Sequence, residues 1–168
     1  MDTAPIDIQA DLDQLAVQEQ QLQFDTFTAD TAWQLGTRLK EAAEAAGKAV
    51  AIEIQLAGQP LFFYAMPGTT ADNADWIRRK RNVVLRFHRS SYAVGLDLQQ
   101  RQTSLQERSG LDLRDYAPFG GCFPLILRGT GCVGTLAVSG LPQRDDHNLI
   151  VAVLARWFDL PLAGLALS

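Results

Sequence analysis

Between residues 49 and 56 apolar side chains fall on every second position. Val50, Ile52, Ile54 and Leu56 share one side, and Ala49, Ala51, Glu53 and Gln55 share the other. Only an extended chain sorts alternate residues this way, so the segment predicts a strand with one deeply buried face. Turn-forming Ala57, Gly58, Gln59 and Pro60 follow, and residues 61–65 return as a second strand. A second hairpin is predicted from residues 122–127 and 132–138 around Gly129 and Gly131. With its turn centred on Gly129-Thr130, Cys132 falls opposite Leu127 and too far from Cys122 for a disulfide, which leaves two buried thiols. Gly134, inside a strand, marks a bulge or a close backbone approach. A short piece at residues 22–24 brings the count to five strands.

Helical periodicity fills the remainder. Residues 6–21 carry a stripe of Ile8, Leu12 and Leu15. A second helix, capped by Thr28 or Asp30, runs to residue 46 and is closed by Gly47. Asp72 or Asn73 caps a third that reaches His88, Ser90 and Ser91 restart a fourth to Gln100, and a short turn at residues 104–108 ends at Gly110. The segment from Ser139 to Pro142 leads into a last helix reaching Phe158. Strand pairs separated by helices give an α+β fold, an antiparallel sheet with helices packed on it. The chain divides into an N-terminal helix, residues 1–21, whose glutamine-rich end suits an oligomer or partner contact, and one domain, residues 22–168.

Hydrophobic residues make up 47% of the 168, enough for a real core, and the net charge of −4 supplies no overall field for nucleic acid. No apolar run nears the ~20 residues that cross a bilayer. Residues 1–13 contain acids and no base, unlike a secretory leader, so the expected location is the cytoplasm.

The chemistry concentrates on residues 76–88. At about 100° per residue Trp76, Ile77, Val83, Val84 and Phe87 share a face, with Lys80 at its centre and Arg81 and His88 on its edge. An ammonium in an apolar stripe must snorkel, meet a carboxylate or face a ligand. Glu53, Asp145 and Asp146 are the candidate counter-ions. His147 falls on the inner side of the last helix with Ile150 and Leu154, and neither histidine belongs to a zinc pattern, so no metal site is expected. The pair Gly120-Gly121 could offer backbone N–H groups to an anion, but a turn is the favoured reading. Ser139-Gly140 lacks the surroundings of a hydrolase nucleophile. No constellation identifies a catalytic residue.

The runs Tyr116-Ala-Pro-Phe-Gly-Gly-Cys-Phe-Pro124 and Gly131-Cys-Val-Gly-Thr-Leu-Ala-Val-Ser-Gly-Leu-Pro142, followed by Asp145-Asp-His147, resemble the haem-degrading domain family, as do Asn73 to Asn82 and Ser90-Ser-Tyr92. The best match is to an uncharacterised-protein-family branch that also resembles glycolate-operon and haem-binding sensor proteins. The resemblance implies a profilin-like α/β/α sandwich around a five-stranded antiparallel sheet, homo-oligomeric assembly, and haem as a candidate cofactor. The functional expectation is a small-ligand-binding domain rather than an enzyme, taking an anionic or porphyrin-like molecule. Lys80, Arg81, Gly120, Gly121, Ser139, Gly140 and His147 would supply polar contacts, and Trp76, Tyr92 and Phe119 apolar walls. A haem-binding or haem-degrading enzyme and a non-catalytic partner-binding protein are the alternatives.

Overall fold

The structure, a computed structural model, describes residues 6–167, so residues 1–5 of the expected N-terminal unit lie outside the described residues. Helices α1 (Ile8–Gln21) and α2 (Ala29–Ala45) precede the hairpin β1 (Ala51–Leu56) and β2 (Gln59–Ala65). Helices α3 (Ala71–Phe87), α4 (Ser91–Gln100) and α5 (Leu105–Ser109) lead to the second hairpin, β3 (Cys122–Leu127) and β4 (Gly131–Ser139), and α6 (Gln143–Trp157) follows. The strands form one antiparallel sheet in the order β2-β1-β4-β3.

Among the described residues the sheet has four strands, not the expected five. The apolar residues Leu22 and Phe24 suggested a strand, but they serve as anchors. Phe24 makes one parallel bridge beside Leu127, its N–H donating to the Ile126 carbonyl and its own carbonyl accepting from Arg128, both at 2.8 Å. Its ring packs against Phe27 and Phe158, with centroids 5.0 and 4.9 Å away. Leu22 caps α1 and Thr28 caps α2, so the chain passes the sheet edge without room for a ladder.

The alternation in β1 sorts the sheet into two unequal faces. Val50, Ile52, Ile54, Phe123, Leu136 and Val138 pack under Leu35 and Leu39 of α2 and Ile150 and Leu154 of α6. The other face presents the small residues Ala51, Cys122 and Ala137, on which α3 rests Ile77 and Val84. Small side chains let α3 lie close to the sheet, and that closeness brings Lys80 down to it. Helix α3 is capped by Thr70, not by Asp72 or Asn73. Asn73 is the third residue of the capping box, its side chain accepting from the Thr70 N–H.

Two further details differ from expectation. The first hairpin closes on Ala57 and Gly58, both at positive φ (51° and 80°), so β2 begins at Gln59 and includes Pro60. That proline is tolerated because β2 is an edge strand. In the second hairpin a register shift after Leu125 places Cys132 opposite Ile126, one residue from the expected partner. Cys122 pairs with Ala137, and both cysteines are free thiols. Gly134 marks a close approach: a Cβ there would lie 2.0 Å from the Gln55 carbonyl oxygen.

Candidate functional site

Helix α3 enters along the C-terminal end of β4, and the chain turns there through Ser139, Gly140 and Leu141 into α6. The first two turns of α3 and the first turn of α6 therefore face each other across the Ser139–Leu141 corner. Between them lies a cleft of about 320 Å³. Trp76, Phe119 and Leu141 form its apolar walls, and Asp72, Asn73, Lys80, Ser139, Gln143 and Asp146 its polar lining.

Lys80 and Asp146 make the floor. Both are almost fully buried, and the ammonium donates to Asp146 Oδ2 at 2.9 Å and to the Val138 carbonyl at 3.2 Å. Asp146 Oδ1 accepts from the Leu141 N–H at 3.0 Å. Burial pushes the Asp146 carboxyl above the usual range, and Lys80 and the backbone N–H groups pull it partly back. Gly121, at φ +125°, makes space for the pair, since a Cβ there would lie 2.4 Å from Lys80 Nζ. Of the three candidate counter-ions, Asp146 is the partner. Glu53 is taken by Arg81.

On the walls, Trp76 and Phe119 meet edge to face with centroids 5.9 Å apart. The Trp76 indole N–H donates to Asp72 Oδ2 at 3.1 Å, and the Arg79 guanidinium lies 4.0 Å from its ring centroid. Asn73 Nδ2 donates to Ser139 Oγ at 3.3 Å. With Lys80 cancelled by Asp146, Asp72 leaves the lining with a net negative charge.

Of the residues expected at the site, Trp76, Lys80, Phe119, Ser139 and Gly140 line the cleft. Gly120 and Gly121 stand behind it. The Gly120 N–H is already taken by Gln143 Oε1 at 3.0 Å, so that group is not open to an anion. Three residues are directed elsewhere. Arg81 lies beneath α3 against Glu53. Tyr92 belongs to α4, its hydroxyl accepting from Arg144 at 3.0 Å. His147 is fully buried on the opposite side of α6, between the rings of Tyr92 and Phe123. Its Nε2 pairs with Gln18 Oε1 of α1 at 2.8 Å. Because Gln18 Nε2 is committed to the Leu165 carbonyl at 2.7 Å, its oxygen accepts and His147 carries its proton on Nε2. His147 Nδ1 is buried and has no partner among the described residues. Burial, reinforced by Arg144, pulls this imidazole down to about 3.

Asp72, Asn73, Leu141, Gln143 and Asp146 complete the lining and were not expected there. Asp146 was visible as a counter-ion, and Asp72 and Asn73 as helix caps. Gln143 had no distinguishing signal. Among the described residues no group of three or more His, Cys, Asp or Glu is placed to hold a metal, and no helix is long and apolar enough to cross a membrane.

Comparison with known proteins matches the family described as haem degrading protein HbpS-like over residues 27–155. A UPF0303 protein of Azotobacter vinelandii is 59% identical over 163 residues, covering 97% of this chain and 98% of that one. The crystal structure of the Ybr137w protein superposes with a TM-score of 0.82 at 32% identity, covering 88% of this chain and 87% of its own. A PduOC:Heme complex superposes with a TM-score of 0.65 at 20% identity, over 77% of this chain and 94% of its own, a likeness of fold. The chain belongs to the HbpS-like haem-degrading protein family, among its UPF0303 members.

Proposed function

We propose that this protein is a small-molecule-binding domain whose site is the cleft between α3 and α6. The observation that carries this reading is an aromatic pair, Trp76 and Phe119, facing the amide of Asn73 and the hydroxyl of Ser139 above a floor whose charges are already paired. At about 320 Å³ the cleft sits at the small end of ligand sites. Because Lys80, the one cation lining it among the described residues, is matched by Asp146 and Asp72 adds a further carboxylate, the ligand it suits is neutral, polar and planar rather than anionic.

Haem is the second reading, favoured by the family match and by the haem complex among the structural relatives. Haem iron needs an axial donor. Among the described residues no His, Cys, Met or Tyr side chain lines the cleft, and His147 is sealed in the core. His88, the exposed left-handed cap of α3, is the accessible imidazole, at the other end of the helix. The cleft residues do not fit a haem iron.

Benzamide is a suitable probe, having a ring for the aromatic pair and an amide for Asn73 and Ser139. Titrated into ¹⁵N-labelled protein, it should shift the Trp76 indole and the Asn73 and Ser139 amides. It should bind more tightly than benzoate and weaken about tenfold in Trp76→Ala. Shifts indifferent to that substitution overturn the reading. A Soret shift with haemin that is lost in His88→Ala would support haem instead.

A further inference from the structure

Phe119 has two sides. One faces the cleft, and the other walls a second depression of about 300 Å³ between α4, α5 and the loop that precedes β3. Gln143 also borders both. The lining beyond Phe119 differs in kind: Leu96, Leu98, Leu105, Leu113 and Pro118 dominate it, with Tyr92 at its base. A polar cleft and an apolar one thus adjoin across one aromatic ring.

That ring stands on fixed backbone. Gly95 of α4 packs so tightly on the loop that a Cβ would lie 2.1 Å from the Pro118 carbonyl oxygen. The Ala117 N–H is bonded to the Arg79 carbonyl at 3.1 Å and the Gly120 N–H to Gln143. The backbone on both sides of Phe119 is therefore pinned, while its side chain is 38% exposed. The ring stands at a fixed point between the two depressions, like a saddle.

We propose that the two depressions are one bipartite site for an amphipathic molecule. Its neutral polar head sits among Asn73, Ser139 and Trp76, and its apolar tail crosses Phe119 to lie against Leu98, Leu105 and Leu113. This rests on the small-molecule reading of the first cleft and adds the ligand's second half. Isolated apolar depressions are common on protein surfaces. This one shares Phe119 and Gln143 with a polar site, which specifies an occupant entering from that side.

The test compares benzamide with 4-butylbenzamide. Each buried methylene should tighten binding roughly threefold to fourfold, so the butyl compound gains at least about tenfold and shifts the Gly95 and Leu113 amides as well as those near Trp76. Leu113, 56% exposed, tolerates a charge without loss of fold, and Leu113→Asp should remove the butyl gain while benzamide binds as before. If benzamide binds but the butyl group adds nothing, or its gain survives Leu113→Asp, the bipartite site is wrong and the cleft reading stands. If benzamide itself does not bind at Trp76, the cleft reading fails first.

Discussion

Lys80 shows how one residue can be read correctly for its constraint and still have two outcomes. A cation at the centre of an apolar helix face requires a partner, and the structure supplies Asp146 at 2.9 Å. It also places the pair at the floor of a cleft, so the ammonium is a structural group with a functional neighbourhood rather than an open anion receptor. Taking two such charges out of water is expensive, and removing one partner strands the other. Lys80→Met should therefore destabilise the fold by about 3–5 kcal/mol, because it leaves a buried carboxylate without its cation. The double variant Lys80→Met/Asp146→Leu should recover most of that loss. Urea unfolding of the three proteins decides the matter. Equal destabilisation of the single and double variants would show that the charge pairing is not what matters at this position.

At the scale of elements, β1 was legible because a period of two over eight residues has no other compact solution. Helix α3 was legible in extent, but its cap was displaced to Thr70 because the capping box uses Asn73 from inside the helix. Residues 22–24 misled because two buried aromatic or aliphatic side chains at alternate positions look the same whether they line a strand or pin a loop. The cleft was half legible. Trp76 and Lys80 announce themselves by helical spacing, whereas Gln143 joins them only through a chain reversal that no local pattern encodes. Helix α1 illustrates the same limit. Its glutamines suggested an exposed contact, yet Gln18 reaches His147 and the Leu165 carbonyl, Asp11 pairs with Arg144, and Glu19 accepts from the Ser90 N–H at 2.7 Å. Leu12 and Leu15 pack with Tyr92 and Leu96. Deleting residues 1–21 should thus cost about 5 kcal/mol through lost burial and orphaned polar groups, a fall in Tm of roughly 10–20 °C. A circular-dichroism melt within two or three degrees of the full chain would mean instead that α1 is an appendage.

For the molecule as a whole, α6 is the element through which both sides communicate. Gln143 and Asp146 face the cleft, while Arg144 and His147 face α1. His147 makes the global stability sensitive to acid. Its imidazole is neutral in the fold, pulled down to about 3, against an ordinary value of 6.5. Below 6.5 the unfolded chain takes up a proton that the folded chain refuses, so stability is undiminished above that pH and falls as pH drops towards 3, by roughly 1.4 kcal/mol per unit. The carboxyls Asp146 and Glu19, raised by burial, act in the opposite sense, because the folded chain holds their protons to higher pH than the unfolded chain does. Between about pH 7 and pH 5 the histidine's own share of the unfolding free energy should drop by about 2 kcal/mol. His147→Gln keeps a neutral polar group facing Gln18 and removes the titration, so between about pH 7 and pH 5 the parent should lose about 2 kcal/mol more of its unfolding free energy than the variant does. Parallel pH profiles for the two proteins would show that His147 takes up its proton as readily in the fold as in the unfolded chain, and the buried Nδ1, without a partner among the described residues, would then need another occupant.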